Sequence, residues 1–497
     1  MRRLLLLLVL ALPLHAEVSI HIVEPLTMEA GNRLVWRVYV SSDTAVEDLG
    51  VSISAGGSPI VGVSDGCVIP HPQGAACTVD LAPATSRELV ITVQAPATLG
   101  HFQFYASAGG VHRYGDAIFG HEYLVTNTAD SGPGSLRQAL LDVTRDCPGR
   151  GEPCEVVFRV DGPVPAEGWF TFRPQSPFPT IRGTDVVIDG RTQTRHTFDT
   201  NPSGGPEVFL DGSAAGAGHG LLAHAARLRV TDVAIGNFAG NGIEARDTYV
   251  DIYRNYLGLD PSGVKAAPNG LRGVQLDASG GMVEDNVLSG NLRAGGFFTG
   301  QAGTFLRVQR NLVGIGADGV TPLGNGASGL FFHKTAVGYG FAEARENVIG
   351  YNAHAGIGVS LAAMGDFAEN SFRGNAGRPI DVGLDGPTRG TVMGLPGQGG
   401  VVGAPVIETA RFENGGTVVT GHLAAPPTSV STSRTVYLYA DGELVGIAIP
   451  QNLDFTLRIE RDLRGRAISG ATYGGFVYNG DFPALGTSEV GEAVVVE

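Results

Sequence analysis

Asparagine recurs at related positions through the middle of the chain, and this repeat constrains the fold more than any other feature. Six asparagines set the register: Asn237, Asn255, Asn286, Asn311, Asn347 and Asn370. A second asparagine follows each of them after 4, 5 or 14 residues: Asn241, Asn269, Asn291, Asn325, Asn352 and Asn375. When the extra nine residues of the two long cases (14 minus 5) are removed, the period is about 22 residues, a length typical of solenoid repeats.

A period of this size, with several short strands in each repeat, predicts a parallel β-helix. Each turn of such a solenoid stacks on the previous turn at about 4.8 Å, so residues at equivalent corners form columns. Stacked asparagine side chains can hydrogen-bond along a column. We therefore expect a structural ladder of Asn255, Asn286, Asn311, Asn347 and Asn370. A leucine-rich horseshoe would need Leu at several fixed places in each repeat, and those leucines are missing.

Two repeats carry insertions that match each other closely, at residues 258–270 and 316–326. Each insertion contains one carboxylate near a glycine, Asp260 with Gly263 and Asp318 with Gly319. Calcium takes six to eight oxygen ligands, and one carboxylate per loop is too few. We interpret both insertions as glycine-supported turns and predict no metal.

The segment just before the repeats combines an extended half with a short amphipathic helix. It contains the sequence VTNTADSGPGSLRQAL, in which Ser135 and Gln138 form a predicted capping box. A helix at this place would cover the open first turn of a solenoid. With the asparagine repeats and the two insertions, the segment resembles a family of secreted bacterial right-handed parallel β-helix repeat proteins over residues 122–490. The resemblance implies a right-handed parallel β-helix with a helical cap at residues 119–390.

The two flanks alternate apolar and polar residues in short runs separated by turns, which is typical of β-sandwiches. Part of the first flank, near Cys67 and Cys77, resembles the immunoglobulin-like domains of bacterial surface proteins. The second flank follows a glycine-rich linker near residues 388–400. We predict an all-β chain with four parts: a signal peptide at 1–16, an Ig-like β-sandwich at 17–118, the β-helix at 119–390 and a C-terminal β-sandwich at 391–497.

The beginning of the chain has the order of a secretory signal peptide. Two arginines precede an apolar run, and Ala16 comes just before the first acidic residue, Glu17. The apolar run is far shorter than the roughly 20 residues that span a bilayer, and no later run is long enough either. We predict a secreted, cell-surface or periplasmic protein with no integral membrane segment after cleavage.

Four cysteines form two close pairs, Cys67 with Cys77 and Cys147 with Cys154. In an exported chain, close pairs predict two local disulfides. Metal ligation is the rival interpretation, but neither pair has CxxC spacing and the histidines are scattered, so we predict neither a metal nor a cofactor. The net charge of −15, without a local basic cluster, argues against nucleic-acid binding.

Alignment of the repeats on their glycines predicts which strand residues face outward. The first outward column is Glu244, Gln275, Phe297, Phe331 and Gly358, and the second is Arg246, Asp277, Thr299, His333 and Ser360. Phe297 and Phe331 would form an exposed aromatic patch that suits sugar rings, with Gln275 and Arg246 as further substrate-binding residues. The alternative is that a loop or the second sandwich covers both rings.

Asp277, Thr299 and His333 are the catalytic candidates of the same face. Asp277 and His333 would lie about 10 Å apart, and an acid and an imidazole on opposite sides of a substrate can share acid–base work. A solvated face without chemistry is the favoured interpretation, because the calcium-binding Asp cluster and the close Asp pair of known β-helix enzymes are missing. His219, His224, His354 and Lys334 have no partner at motif spacing.

The predicted function is binding of extracellular or cell-surface polysaccharide by one flank of the β-helix. The first alternative is a polysaccharide lyase or glycoside hydrolase that uses Asp277 and His333. The second is a structural stalk or adhesin for protein partners, which would tolerate changes at Phe297 and Phe331.

Overall fold

The computed structural model of the chain is mostly β, with 51% of residues in strands and 5% in helices. It describes residues 18–23, 33–42, 44–95, 100–109, 111–277, 279–300, 304–334, 341–360, 364–382, 404–423, 434–451, 453–478, 482–488 and 490–497. The predicted signal peptide and the glycine-rich linker near 388–400 lie outside these ranges. The chain divides into two compact units, residues 1–121 and 122–497, which we describe separately.

The described residues of the first unit form nine strands in two antiparallel sheets that share one apolar core. The strands are β1 Val18–Val23, β2 Arg33–Ser42, β3 Val46–Ser54, β4 Ile60–Val63, β5 Cys67–His71, β6 Gly74–Leu81, β7 Thr85–Gln94, β8 Gly100–Ala108 and β9 Val111–Phe119. One sheet has the order β1-β2-β7-β4 and the other β5-β6-β3-β8-β9. Trp36 stacks on Phe104 at 4.5 Å in the core. Cys67 and Cys77 occupy paired positions on β5 and β6 and form a disulfide, which confirms that predicted pair.

The second unit begins with short strands and two helices. The strands are β10 His121–Val125, β11 Cys154–Phe158, β12 Phe170–Phe172, β13 Asp185–Asp189, β14 Val208–Asp211, β15 Leu221–Ala223, β16 Arg227–Thr231, β17 Val233–Gly236, β18 Ile243–Arg246, β19 Tyr249–Tyr253, β20 Tyr256–Leu257, β21 Val274–Asp277, β22 Gly280–Glu284, β23 Val287–Leu288, β24 Gly296–Gly300, β25 Phe305–Gln309, β26 Leu312–Val313, β27 Leu330–Lys334, β28 Phe341–Arg345, β29 Val348–Gly350, β30 Ile357–Val359, β31 Met364–Asp366, β32 Ser371–Arg373 and β33 Ile380–Val382. The helices are α1 Leu136–Asp146 and α2 Arg191–Thr197, and a short 3-10 helix covers Gly212–Ala214.

These strands form three sheets, which the chain visits in rotation from β16 to β33. The nine-stranded sheet has the order β10-β11-β13-β16-β19-β22-β25-β28-β31, the eight-stranded sheet β12-β14-β17-β20-β23-β26-β29-β32, and the seven-stranded sheet β15-β18-β21-β24-β27-β30-β33. Within each sheet, neighbouring strands from β11 onward pair in parallel. Each sequence repeat therefore supplies one strand to each sheet, and we call residues 121–382 the three-sheet region.

Inward residues of the three sheets form one continuous apolar core. On the seven-stranded sheet these residues alternate along each strand, as the glycine-based alignment predicts, and they include Ile243, Ala245, Val274, Leu276, Phe298, Leu330, Phe332, Ile357 and Val359. A strand turns every second side chain to the same face, so the residues between them face outward.

Two columns of asparagines run along the three-sheet region, and all of them are buried except the half-buried Asn375. In the first, the side-chain oxygen of each asparagine accepts hydrogen bonds from the one before it, through Asn255, Asn286, Asn311, Asn347 and Asn370. The second column connects Asn269, Asn291, Asn325, Asn352 and Asn375 in the same direction. The first column precedes strands of the eight-stranded sheet, and the second lies between that sheet and the seven-stranded sheet.

Asn237 and Asn241 belong to neither column, so their assignment to the repeat was wrong. The position one repeat before Asn255 is Val233, 22 residues earlier, whose backbone N–H donates to the Asn255 side chain at 3.1 Å. Phe238 likewise stands where an asparagine of the second column would be, and donates to Asn269 at 3.3 Å. The short spacing between Asn237 and Asn241 imitates the repeat, but the strand register excludes both residues.

Helix α1 covers the first repeat, and a disulfide follows it directly. The Ser135 side chain accepts a hydrogen bond from the Gln138 backbone N–H at 3.2 Å, as in a capping box. The Gln138 side chain donates to Asp142 at 3.0 Å instead of returning to Ser135, so half of the predicted box forms. Four side chains of α1 join the core: Leu136, Ala139, Leu140 and Val143. The Cys147–Cys154 disulfide then ties the end of the helix to β11, which confirms the second predicted pair.

The chain ends in two antiparallel sheets with a core of their own. Their strands are β34 Val406–Glu413, β35 Gly416–His422, β36 Arg434–Ala440, β37 Glu443–Ala448, β38 Asp454–Ile459, β39 Ala467–Tyr478, β40 Phe482–Thr487 and β41 Val494–Val495. The orders are β34-β35-β38 and β37-β36-β39-β40, with β41 beside β39. Tyr439 joins this part to the three-sheet region, because its hydroxyl donates to the Ala368 carbonyl.

The helices within the described ranges are all too short or too polar to cross a bilayer.

Candidate functional site

The outer face of the seven-stranded sheet carries the two predicted columns of side chains. Backbone pairing aligns Glu244, Gln275, Phe297, Phe331 and Gly358 as the first column. The same pairing sets Arg246 beside Asp277, and Thr299 beside His333. In the first column, Leu222 precedes Glu244 and Asp381 follows Gly358. Neighbouring members of a column therefore lie one strand apart, about 4.8 Å.

Four planar groups form a row on this face, which we call the aromatic row: Arg272, Phe297, Phe331 and His333. The phenyl rings of Phe297 and Phe331 lie 5.2 Å apart with a tilt of 33°. His333 stacks beside both rings at 6.2 and 6.0 Å. The Arg272 guanidinium lies over the Phe297 ring at 4.2 Å, a cation–π contact.

Exposure differs along the aromatic row. Both phenyl rings are half-buried, so they are less exposed than the sequence predicts. His333 is exposed. Burial also lowers the pKa of Arg272 from its ordinary value. The row thus offers an aromatic surface to a ligand, with a cation over the Phe297 ring and an imidazole beside both phenyl rings.

Asp277 is held by its neighbours on the same face. The Gln275 side chain donates to Asp277 at 2.8 Å, and the Arg246 guanidinium lies 3.9 Å away. The Thr299 hydroxyl is 3.5 Å from the other carboxylate oxygen. His333 pairs with Thr299 on the next strand, so the structure brings Asp277 and Thr299 together but leaves His333 two strands from Asp277.

A buried carboxylate lies next to this group, at Glu244. It accepts hydrogen bonds of 2.7 Å from the Asn241 side chain and from Arg246, and His219 Nδ1 lies 3.1 Å from it. In the sequence, His219 has no partner at motif spacing. His219, Asn241 and Arg272 all precede the strands, so an alignment of strand residues does not find them. Each of these three residues directly precedes the glycine just before a strand, and this position in the repeat could have identified them from the sequence.

The other residues without a partner at motif spacing lie at strand ends and in turns. His224 follows β15, His354 lies in the turn before β30, and Lys334 is the last residue of β27. Among the residues that the structure describes, no three His, Cys, Asp or Glu side chains gather in the manner of a metal site.

The carboxylates of the two insertions stabilise turns. The Asp318 side chain accepts hydrogen bonds of 2.9 Å from the backbone N–H groups of Val320 and Thr321. Hydrogen bonds from Thr321 and Val320 hold the pKa of Asp318 below its ordinary value. In the first insertion, Asp260 accepts a hydrogen bond of 3.1 Å from the Ser262 N–H. Both are Asx-type turns, in which the carboxylate completes a local backbone loop.

Comparisons with known proteins give little to add to this geometry. No family model and no curated protein matches the chain. One similar solved structure is a CARDB domain from Pyrococcus furiosus in complex with di-metal ions, with 14% identity and a TM-score of 0.17 over 21% of this chain and 88% of that one. Another is a calcium-binding mutant of Bacteroides uniformis beta-glucuronidase 2, with 8% identity and a TM-score of 0.18 over 96% of this chain and 60% of that one. At such scores neither likeness carries an argument about fold or function.

Proposed function

We propose that this chain is an exported right-handed parallel β-helix protein that binds polysaccharide along the outer face of its seven-stranded sheet. The rotation of the chain through three parallel sheets supports the β-helix, as do the two asparagine columns. The same proposal makes the first unit an Ig-like sandwich and the last two sheets a second sandwich. The signal-like first residues and the two disulfides support export to an oxidising compartment.

The aromatic row is the observation that carries the binding proposal. Sugar rings present C–H groups that pack against aromatic faces, and half-buried rings provide such faces at a low cost in conformational entropy. Gln275 and Arg246 flank the row. The Gln275 amide is bound to Asp277 and Arg272 within the protein. The half-exposed Arg246 guanidinium binds Glu244 and has further N–H groups that can donate to hydroxyl or carboxylate groups of a ligand. The even strand spacing repeats along the sheet, which suits a polymer with a regular repeat.

The enzyme alternative rests on the positions of Asp277 and His333 on either side of Thr299. An acid and a base two strands apart can exchange protons with a substrate between them. The hydrogen bond from Gln275 to Asp277 favours binding over catalysis, because this carboxylate is already engaged on the protein surface.

Affinity electrophoresis of the mature chain in gels that contain acidic or neutral polysaccharides tests the proposal. We expect retardation by at least one polymer, and about tenfold weaker retardation for Phe331→Ala. Phe331→Leu keeps the apolar packing and separates loss of the ring from loss of stability. The control is Phe305→Ala on the nine-stranded sheet, where an exposed phenyl ring lies under Arg307, much as Phe297 lies under Arg272 in the aromatic row.

Equal retardation of the native chain and Phe331→Ala would contradict the proposal. Absence of retardation by every polymer would favour the stalk or adhesin alternative.

A further inference from the structure

A cleft beside the eight-stranded sheet forms a second candidate site, on a different sheet from the aromatic row. Its volume is about 690 Å³, within the ~300–1,000 Å³ that small-ligand sites occupy. Five segments distant in sequence line it: residues 126–128 of the segment before α1, residues of the 160–173 stretch, Phe209 and Asp211 of β14, Asn237 directly after β17, and residues of the first insertion. The segment before α1 and the first insertion were predicted as structural features, and here both face one cavity.

Trp169 provides an aromatic wall of the cleft. Its half-buried indole packs against a small apolar cluster of Phe209, Ala234 and Ala267. The preceding position admits only glycine, because Gly168 has a φ of +93° and a Cβ there would lie 2.4 Å from the Thr200 carbonyl oxygen. The Thr200 hydroxyl also donates to the Gly168 carbonyl at 2.9 Å. The indole is therefore held in place without a ligand.

Asp211 provides a fixed anionic acceptor in the same cleft. Its side chain accepts hydrogen bonds of 2.9 Å from Arg173, 3.0 Å from Asn237 and 3.1 Å from the Ser213 N–H. Burial opposes ionisation, but hydrogen bonds from Asn237, Ser213 and Arg173 outweigh it and hold the pKa of Asp211 below its ordinary value. Asn237 lies outside both asparagine columns and has a φ of +62°, and its side chain orients this carboxylate.

The other polar groups of the cleft mix acceptors and donors. Glu167 and Lys265 are exposed at its margin. Asp161 contacts His196 Nε2 at 2.8 Å, and Asp260 closes its own turn. Counting Asp211 and Arg173 as well, four carboxylates face two cations, so an anionic ligand is disfavoured.

We propose that this cleft binds a short neutral oligosaccharide, with one sugar ring stacked on Trp169 and its hydroxyl groups bonded to Asp211, Glu167 and Lys265. A hydroxyl both donates and accepts, so it uses the carboxylates and the lysine together. A cationic peptide would use only the carboxylates and would meet Arg173 and Lys265 as like charges. The site and its uncharged ligand are independent of polymer binding at the aromatic row.

Calorimetric titration of the full chain with cellohexaose, xylohexaose and mannohexaose tests this inference, and tryptophan emission gives a second readout. The chain has two tryptophans, and Trp36 is fully buried in the first unit, so a change in emission reports on Trp169. We expect one hexaose to bind and to shift the emission. Trp169→Ala should weaken binding at least about tenfold, and Trp169→Phe should weaken it less.

Substitutions of exposed residues keep the test decisive if Trp169→Ala fails to fold. Lys265→Ala and Glu167→Gln change surface groups, and each should weaken binding several-fold without loss of fold. Phe305→Ala on the nine-stranded sheet is the control and should leave hexaose binding unchanged, whereas binding of a hexaose at the aromatic row would survive all the cleft substitutions. Pentalysine and a galacturonate hexamer are the charged probes, and neither should bind here.

Three results would overturn the inference. The first is that none of the three hexaoses binds. The second is hexaose binding that survives all the cleft substitutions. The third is pentalysine binding that is lost in Trp169→Ala, which would make the cleft a site for cationic peptides.

Discussion

The side-chain oxygen of Asn311 accepts two hydrogen bonds from Asn286, at 2.9 Å from its backbone nitrogen and at 3.0 Å from its side-chain nitrogen. The same Asn286 side chain donates to the Ile252 carbonyl in the preceding repeat at 2.9 Å. Both asparagines are buried, so no water can replace these bonds. The Asn286 side chain also accepts a hydrogen bond of 3.0 Å from the Asn255 backbone N–H, so one asparagine connects three consecutive repeats.

Asn286→Ala should destabilise the second unit by about 2–5 kcal/mol, because it removes hydrogen bonds to buried backbone groups of two repeats. Urea unfolding followed by circular dichroism measures the change. Asn325→Ala in the second column should cost a similar amount. Asn414→Gly, at an exposed turn with φ of +50°, is the control and should change stability by less than about 0.5 kcal/mol. A cost for Asn286→Ala no larger than that of the control would contradict a structural role for the column.

The register of the seven-stranded sheet could be predicted from the sequence, because strand side chains alternate and the glycines mark the same point in every repeat. Phe297 beside Phe331 and Thr299 beside His333 followed from that alignment. The position of Asn237 could not be predicted, since asparagine also favours positive φ at turns, and nothing in its spacing separates that role from a place in the column.

The contacts that complete each site could not be read from the sequence. Arg272 and His219 reach the outer face from turns, where no periodicity fixes the direction of a side chain. The cleft is harder still, because Trp169, Asp211 and Lys265 come from three separate segments that only the stacking of the repeats brings together.

Removal of the Cys147–Cys154 disulfide should destabilise the second unit by about 2–3 kcal/mol, the loop-entropy cost of a short closed loop. Cys147→Ala with Cys154→Ala is the test, and scanning calorimetry is the measurement. Cys67→Ala with Cys77→Ala is the matched pair in the first unit. Each double variant should lower the melting transition of its own unit, and a shift of the same transition by both pairs would contradict this assignment.

The stability of the second unit should fall as pH rises from about 4.5 to about 8, in part through Glu155. Burial and the neighbouring Asp189 carboxyl raise the pKa of Glu155 to about 8. Between its unfolded and folded pKa values the folded chain keeps a proton that the unfolded chain releases, so rising pH favours unfolding. Glu155→Gln stays neutral and removes this contribution.

Urea unfolding at pH 5, 6.5 and 8.5 measures the difference in unfolding free energy between the native chain and Glu155→Gln. The variant should gain stability relative to the native chain as pH rises. Glu460→Gln, whose side chain is 67% exposed, is the control and should have a small effect at every pH. A constant difference between native and Glu155→Gln would show that Glu155 is not protonated in the folded state at neutral pH.

Asp277→Asn should leave polysaccharide retardation within about twofold of the native chain, whereas His333→Ala should weaken it about fivefold or more. The reason is that the Asp277 carboxylate is held by Gln275, while the His333 ring extends the stacking surface beside Phe297 and Phe331. Affinity electrophoresis is run alongside an assay for reducing and unsaturated ends. Release of such ends by the native chain, abolished by both substitutions, would replace the binding function with the lyase or glycosidase alternative, because proton transfer requires both groups whereas stacking requires only the imidazole.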